Sequence, residues 1–177
     1  AAYDYLSRFS KLLRMVLDNS EKNFISLNSE LETIRLYLSL EALRFSQSFT
    51  YSIELNEELD KEDIFIPSLL LQPFVENAIW HGLINKEGEK KLLLKFEERE
   101  GNLICIIQDN GIGRERAAEI KKNKLGAGRF ESKGTKLALQ RIEIVNRERP
   151  GAADIETIDL FDEAGNASGT SVVVTLA

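Results

Sequence analysis

The sequence predicts an α+β fold: one mixed sheet covered on one face by helices, with a helical extension at the N-terminus. Three observations lead there. Two stretches near the N-terminus repeat apolar residues at helical spacing. Several later stretches alternate, or run apolar, over strand lengths. Strands and helices are mixed along the chain, a pattern that fits one sheet with helices gathered on one side.

Residues 5–18 set Leu6, Phe9, Leu13, Val16 and Leu17 on a helical stripe about four turns long, which Asp18-Asn19-Ser20 ends. A second helix follows, where Ser29-Glu30-Leu31-Glu32 fits a capping box. Leu31, Ile34, Leu38, Ala42 and Phe45 form its main stripe, and Leu36, Tyr37 and Leu40 add apolar surface off it. A helix apolar nearly all round needs cover on more than one side. Either its own domain provides that cover, or the N-terminal helices help form a dimer.

Phe49, Tyr51, Ile53 and Leu55 alternate with polar residues, as in a half-buried strand. After an acidic loop over 56–63, Ile64-Phe65-Ile66 is a short extended piece. Pro67 suits the first turn of the next helix. Pro73, further in, should kink that helix or confine its regular part to later residues. Glu87-Gly88 turns into a strand carrying Leu92, Leu94 and Phe96, and 103–108 returns antiparallel after a second turn. Residues 114–133 are polar, charged and glycine-bearing. Residues 135–146 are helical, with Leu137, Ile142 and Val145 as core candidates, and Pro150-Gly151 stops them. Two last strands, 155–161 and 171–176, are joined by a loop of small and polar residues.

The chain has 177 residues, 43% hydrophobic and 29% charged, which fits one globular domain plus an extension. No run of about 18 apolar residues is present to cross a bilayer, and no signal peptide is evident. The chain starts at Ala1-Ala2 rather than at Met, which hints at a fragment. The single cysteine, Cys105, lies in an apolar strand and reads as inert packing in a reducing compartment. The net charge of −6 is uneven, for residues 114–149 carry 11 basic and 5 acidic side chains. A basic segment on an acidic protein points to a local anion partner rather than to nucleic acid.

Two stretches carry the chemistry. In Leu71-Gln72-Pro73-Phe74-Val75-Glu76-Asn77-Ala78-Ile79-Trp80-His81-Gly82, a mostly apolar helix holds Asn77 and His81 four residues apart, on one face. In Gln108-Asp109-Asn110-Gly111-Ile112-Gly113, a carboxylate ends a buried strand and two glycines follow. Asn-Gly between apolar runs is a hairpin signal, but no strand follows, and a ligand pocket with a basic lid suits the pattern better.

Together these stretches resemble the GHKL, or Bergerat, ATPase family, and the first resembles the N box of LytS/YehU-type sensor histidine kinases. The resemblance covers nearly the whole chain and implies a two-layer Bergerat sandwich. It divides the chain into residues 1–46, the end of a dimerisation and phosphoacceptor region with a connecting helix, and 47–177, an ATP-binding catalytic domain. It implies ATP and Mg2+ as cofactors. Asn77 matches the family's metal-binding asparagine, and a neutral amide oxygen suits magnesium beside phosphates. Glu76, next to it, is a candidate catalytic group. Asp109 matches the carboxylate that accepts from adenine's amine and would oppose guanine's carbonyl. Gly111 and Gly113 let backbone approach the nucleotide, Gly134 and Lys136 close the lid, His81 lines the pocket, and Thr170 after Gly169 supports the adenine seat.

The chain departs from the family at Lys136, where a second lid glycine is usual, at Pro73, often polar, and at Trp80, often basic. His81 is the only histidine. The family's phosphoacceptor lies upstream in a Pro-His-Phe-x-Phe-Asn-like motif, which does not occur here, so His81 is not the residue phosphorylated. The resemblance implies a kinase that phosphorylates an upstream histidine and then a response regulator. It also implies a homodimeric whole protein with membrane segments upstream, no nucleic-acid partner, and this domain in the cytoplasm. Two rivals remain: a GHKL-type ATPase using Glu76 to activate water, and a nucleotide-independent scaffold with a degenerate pocket.

Overall fold

The computed structural model describes residues 2–45, 48–125 and 133–177. The chain opens with helix α1 (Ala2–Ser20), strand β1 (Phe24–Ser26) and helix α2 (Leu27–Arg44). Strands β2 (Thr50–Leu55) and β3 (Phe65–Pro67) follow, then helix α3 (Gln72–Asn77), which widens into a π-helical segment (Ala78–Leu83). Strands β4 (Lys91–Arg99) and β5 (Asn102–Asp109), helices α4 (Arg114–Leu125) and α5 (Lys133–Glu148), and strands β6 (Ala153–Phe161) and β7 (Ala167–Leu176) complete it.

Five strands form a mixed sheet in the order β2-β4-β5-β7-β6, and β1 and β3 form a separate antiparallel pair. Only the β2–β4 pairing in the large sheet is parallel. The β4–β5 hairpin turns at Glu100 (φ 53°) and Gly101 (φ 78°), the left-handed pair a tight hairpin requires. Across the sheet Leu94 faces Ile107, Phe96 faces Cys105, and Cys105 faces Val174. These residues are buried, together with Leu31, Ile34 and Leu38 of α2, Val75 and Ile79 of the rod and Ala138 of α5. The opposite face carries Lys95 and Glu97 in an ion pair, so helices cover one side only. Cys105 is free and buried, and burial raises its thiol pKa, which fits inert packing.

Three expectations are corrected. The cap of α2 is Ser26, whose hydroxyl accepts from the Ser29 N–H at 3.1 Å, rather than Ser29. Pairing of β1 with β3 makes 24–26 extended, so the helix starts earlier. Pro67 ends β3, and it is Pro73 that occupies the first turn of α3, where a missing N–H costs nothing. Leu137 is exposed on α5, whose core contacts are Ala138 and Ile142. On α1, Leu6, Phe9, Leu13 and Leu17 of the stripe are exposed, Val16 packs against the core, and Leu12 and Asn19 are buried. The middle of the expected lid, 126–132, and the expected domain boundary at 46 and 47 lie outside the described residues.

Candidate functional site

The rod from Gln72 to Leu83 forms one wall of a cavity. It starts at Pro73 and then takes a wider helical turn, in which the Ile84 N–H reaches back to the Ile79 carbonyl at 2.9 Å. Wide turns of this kind cluster at functional sites. Phe74, Asn77, Ala78, His81 and Gly82 face the cavity, whose volume is about 440 Å³. That is the size range of a small-molecule site.

Strand β5 supplies the floor. Asp109, at its end, is 5% exposed. Loss of hydration pushes its pKa up to about 6. Backbone N–H groups of Gly111 and Thr170 and the charge of Lys86 pull the other way. The Gly111 N–H donates to Asp109 Oδ1 at 2.8 Å. Rod and strand meet through glycines, for a Cβ on Gly82 would lie 2.6 Å from Asp109 Oδ1, and one on Gly111 would lie 2.4 Å from the Gly82 carbonyl carbon. Asn110 pins the turn, accepting from the Lys91 N–H at 2.7 Å and donating to the Glu89 carbonyl at 3.1 Å.

The remaining walls come from α4, α5 and β7. Gly113, Arg114 and Lys121 line one side, and Thr135 and Thr170 another. Arg114 is held by a two-pronged bond to Asp159, both contacts at 2.7 Å. Asn77 Nδ2 donates to Thr135 Oγ1 at 2.8 Å, so its amide oxygen is the atom it can offer a cation. Burial, and then the charge of Lys121, lower the His81 pKa, which favours a neutral imidazole.

Of the residues singled out by sequence, Asn77, His81, Asp109, Gly113 and Thr170 share this cavity. Glu76, Gly111, Gly134 and Lys136 lie outside its lining. Glu76 Oε1 accepts from Gln72 Nε2 at 3.0 Å, and its carboxylate feels Tyr37 and Glu41 of α2, because one helical residue step turns it away from Asn77. Gly111 lies behind Asp109 against Gly82, and Gly134 against Pro73. Lys136 is exposed. Trp80 also faces α2, donating to the Tyr37 hydroxyl at 3.3 Å under the Arg44 guanidinium. Sequence reasoning missed Thr135, Arg114 and Lys121. For Thr135 the signal was adjacency to Gly134, and for Arg114 and Lys121 it was the basic stretch 114–149, which pointed to an anion without singling out either residue.

The residues present fit a purine nucleotide with a divalent cation. A buried carboxylate with spare acceptor capacity suits an amine N–H, an amide oxygen suits a hard cation, and the basic side chains of Arg114 and Lys121 line one wall.

Known proteins bear on this arrangement. The family model described as "Histidine kinase" matches residues 1–49. The sensor histidine kinase/phosphatase LytS of Staphylococcus aureus is 34% identical over 145 residues, which are 81% of this chain and 24% of LytS. The chain thus spans about a quarter of the curated relatives it matches. Among solved structures, the histidine kinase domain of the Erythrobacter litoralis EL346 blue-light activated histidine kinase superposes with a TM-score of 0.59 at 14% identity, covering 97% of this chain and 74% of that one. The histidine kinase ThkA, solved in complex with the response regulator protein TrrA, gives 0.51 at 17% identity, covering 98% of this chain and 48% of that one. The structural likenesses speak for the fold, and the sequence likeness to LytS for the lineage. This chain belongs to the histidine kinase family, with the LytS type as its sequence kin and the GHKL catalytic fold as its architecture.

Proposed function

We propose that this chain is the ATP-binding catalytic part of a two-component sensor histidine kinase. The whole protein moves the γ-phosphoryl group of MgATP to a histidine upstream of this sequence, and from there to an aspartate of a response regulator. The observation that carries the reading is that Asn77 and Asp109, 32 positions apart in the chain, open into one cavity.

Each residue has a task there. Asp109 accepts from the adenine amine and rejects guanine. Thr170 and Gly82 shape the adenine seat. Asn77 offers its oxygen to the metal, oriented by Thr135. Arg114 and Lys121 face the phosphates, and His81 lines the wall. Magnesium held at Asn77 would supply charge neutralisation at the phosphates; the protein's share is positioning and exclusion of water. Glu76, turned toward Gln72, is poorly placed to activate water, which favours the kinase over a hydrolytic ATPase.

The coarser partner reading draws on ThkA, solved with its regulator TrrA. We assign residues 1–46 to the end of a dimerisation and phosphoacceptor region and 47–177 to the nucleotide domain, in line with the match over 1–49. The whole protein would be a membrane-anchored homodimer with this part in the cytoplasm. No helix among the described residues is long and apolar enough to cross a membrane, so the anchor would lie in upstream segments.

Calorimetric titration with a non-hydrolysable ATP analogue and Mg2+ tests the reading. Binding that is lost in both Asn77→Ala and Asp109→Ala supports it. No binding at millimolar ligand would favour the scaffold, and steady ATP hydrolysis abolished by Glu76→Gln would favour the ATPase.

A further inference from the structure

We propose that Glu30 is a positioning residue for the metal-binding end of the nucleotide site: from α2 it fixes the turn that launches the rod carrying Asn77. The inference rests on the nucleotide reading above.

Glu30 is fully buried, at 0% exposure. Its carboxylate accepts three backbone N–H bonds from a turn about forty residues later: Leu69 at 3.2 Å, Leu71 at 3.0 Å and Gln72 at 3.3 Å. These donors occupy a particular place. Leu71 and Gln72 stand at the start of α3, where N–H groups have no partner within the helix. No side chain caps that helix locally, and Pro73 brings no N–H. Glu30 therefore supplies from another helix the acceptor that a local serine or aspartate normally supplies. Leu69 adopts φ +55°, a left-handed conformation that a leucine holds only under outside constraint. The bond from its N–H to Glu30 is such a constraint.

The same junction reaches the other group that sets Asn77. Burial pushes the Glu30 pKa up, and the three backbone N–H groups, then the charge of Arg141 on α5, pull it back. Arg141 Nη1 donates to Ser68 Oγ at 2.7 Å, and Ser68 Oγ donates to the Lys22 carbonyl at 2.6 Å. Helix α5 also carries Thr135, which holds the Asn77 amide. Both the direction of the rod and the partner of Asn77 thus run back to one buried cluster. Asp109 is held separately by Gly111 and Thr170, and the end of the rod that meets it is pinned on its own, the Ile112 N–H donating to the Gly82 carbonyl at 3.2 Å. An uncharged amide at position 30 would turn an N–H₂ group toward N–H donors, loosening the turn while leaving the adenine seat in place.

The test uses the full 177-residue chain, titrated with adenosine alone and with a non-hydrolysable ATP analogue, with and without Mg2+. Groups that orient a metal ligand typically affect metal affinity about 10- to 100-fold. Glu30→Gln, still melting cooperatively, is expected to lose about tenfold or more of the Mg2+-dependent gain in affinity. Its adenosine affinity should stay within about twofold of wild type. A Mg2+-dependent gain equal to wild type, or equal losses for adenosine and the magnesium complex, would overturn the assignment. Should Glu30→Gln fail to fold, Glu30→Asp, which keeps the carboxyl group but not the reach, is judged by the same two criteria. A wild-type chain that binds neither ligand sinks the nucleotide reading itself, an outcome distinct from a wild type that binds and a variant that does not differ.

Discussion

Asp109 holds a carboxyl group at 5% exposure, with its pKa pushed up to about 6 from 3.8 by lost hydration. A folded pKa above the unfolded one means that the native state holds the proton more tightly. The associated stability is complete below pH about 4 and is lost as pH rises through about 6. A shift of this size corresponds to about 3 kcal/mol, as an order of magnitude. Urea melts of wild type and Asp109→Asn should therefore diverge between pH 4 and 7, with wild type losing the larger amount; parallel pH profiles would refute the assignment. The comparison with Asp109→Asn matters, because burial raises Glu30, Glu41 and Glu76 in the same direction. Nucleotide binding should run the opposite way. An adenine amine donates to the ionised carboxylate, so affinity for the ATP analogue should rise as pH passes through about 6 and level off above it. Calorimetry at stepped pH reads this, and Asp109→Asn should remove the dependence. Asp109, Asn77 and His81 were legible in the sequence because each is a polar residue in an apolar run. Thr135, Arg114 and Lys121 were not, because each is an ordinary member of a polar helix whose orientation tertiary packing decides.

Between elements, the close approach of the rod to β5 is the contact on which the site's shape depends. A Cβ at position 82 would meet Asp109 Oδ1 at 2.6 Å and its Cγ at 2.9 Å. Asp109 has little room to yield, since Gly111 and Thr170 bond its carboxylate and the rod is packed behind by Val75 and Ile79. Gly82→Ala should therefore destabilise the fold by about 1–3 kcal/mol, as overpacking does, and abolish binding of the ATP analogue. Urea melts and calorimetry on the same variant check both, and unchanged affinity would show that the approach is slacker than these distances imply. The glycine's presence was legible, but its reason was not: sequence periodicity does not reveal which residue a helix lays against a strand. The same holds for the rod's start. Two prolines offered two places for a first helical turn, and three-residue strands such as β1 and β3 are too short to show a period. The pairing that made Pro67 a strand end and Ser26 a cap left almost no trace in the pattern.

At the scale of the molecule, the fold class followed from long-period features, such as Leu92, Leu94 and Phe96 alternating along β4 and the stripe of α2. Helix α1 is where that logic met its limit. Of its stripe, Val16 packs on the core, while Leu6, Phe9, Leu13 and Leu17 are 60, 41, 48 and 64% exposed. Leu12 and Tyr5, which lie off that stripe, complete the contact with the core. The periodicity identified a helix with an apolar face but could not say whether this chain or another covers it. Fully burying a large apolar side chain contributes about 1.5–3 kcal/mol, so four of them form a surface that favours association in water. None of the α1 residues lines the nucleotide cavity. The expected result is that the chain self-associates through α1 in sedimentation equilibrium at high micromolar concentration. The double variant Phe9→Glu/Leu13→Glu should be monomeric and retain wild-type affinity for the ATP analogue. A wild-type chain that sediments as a monomer would mean that the stripe is covered by something other than a second copy. A double variant that also loses nucleotide would mean that α1 sets the pocket through α2, and the separation of association from binding would fail.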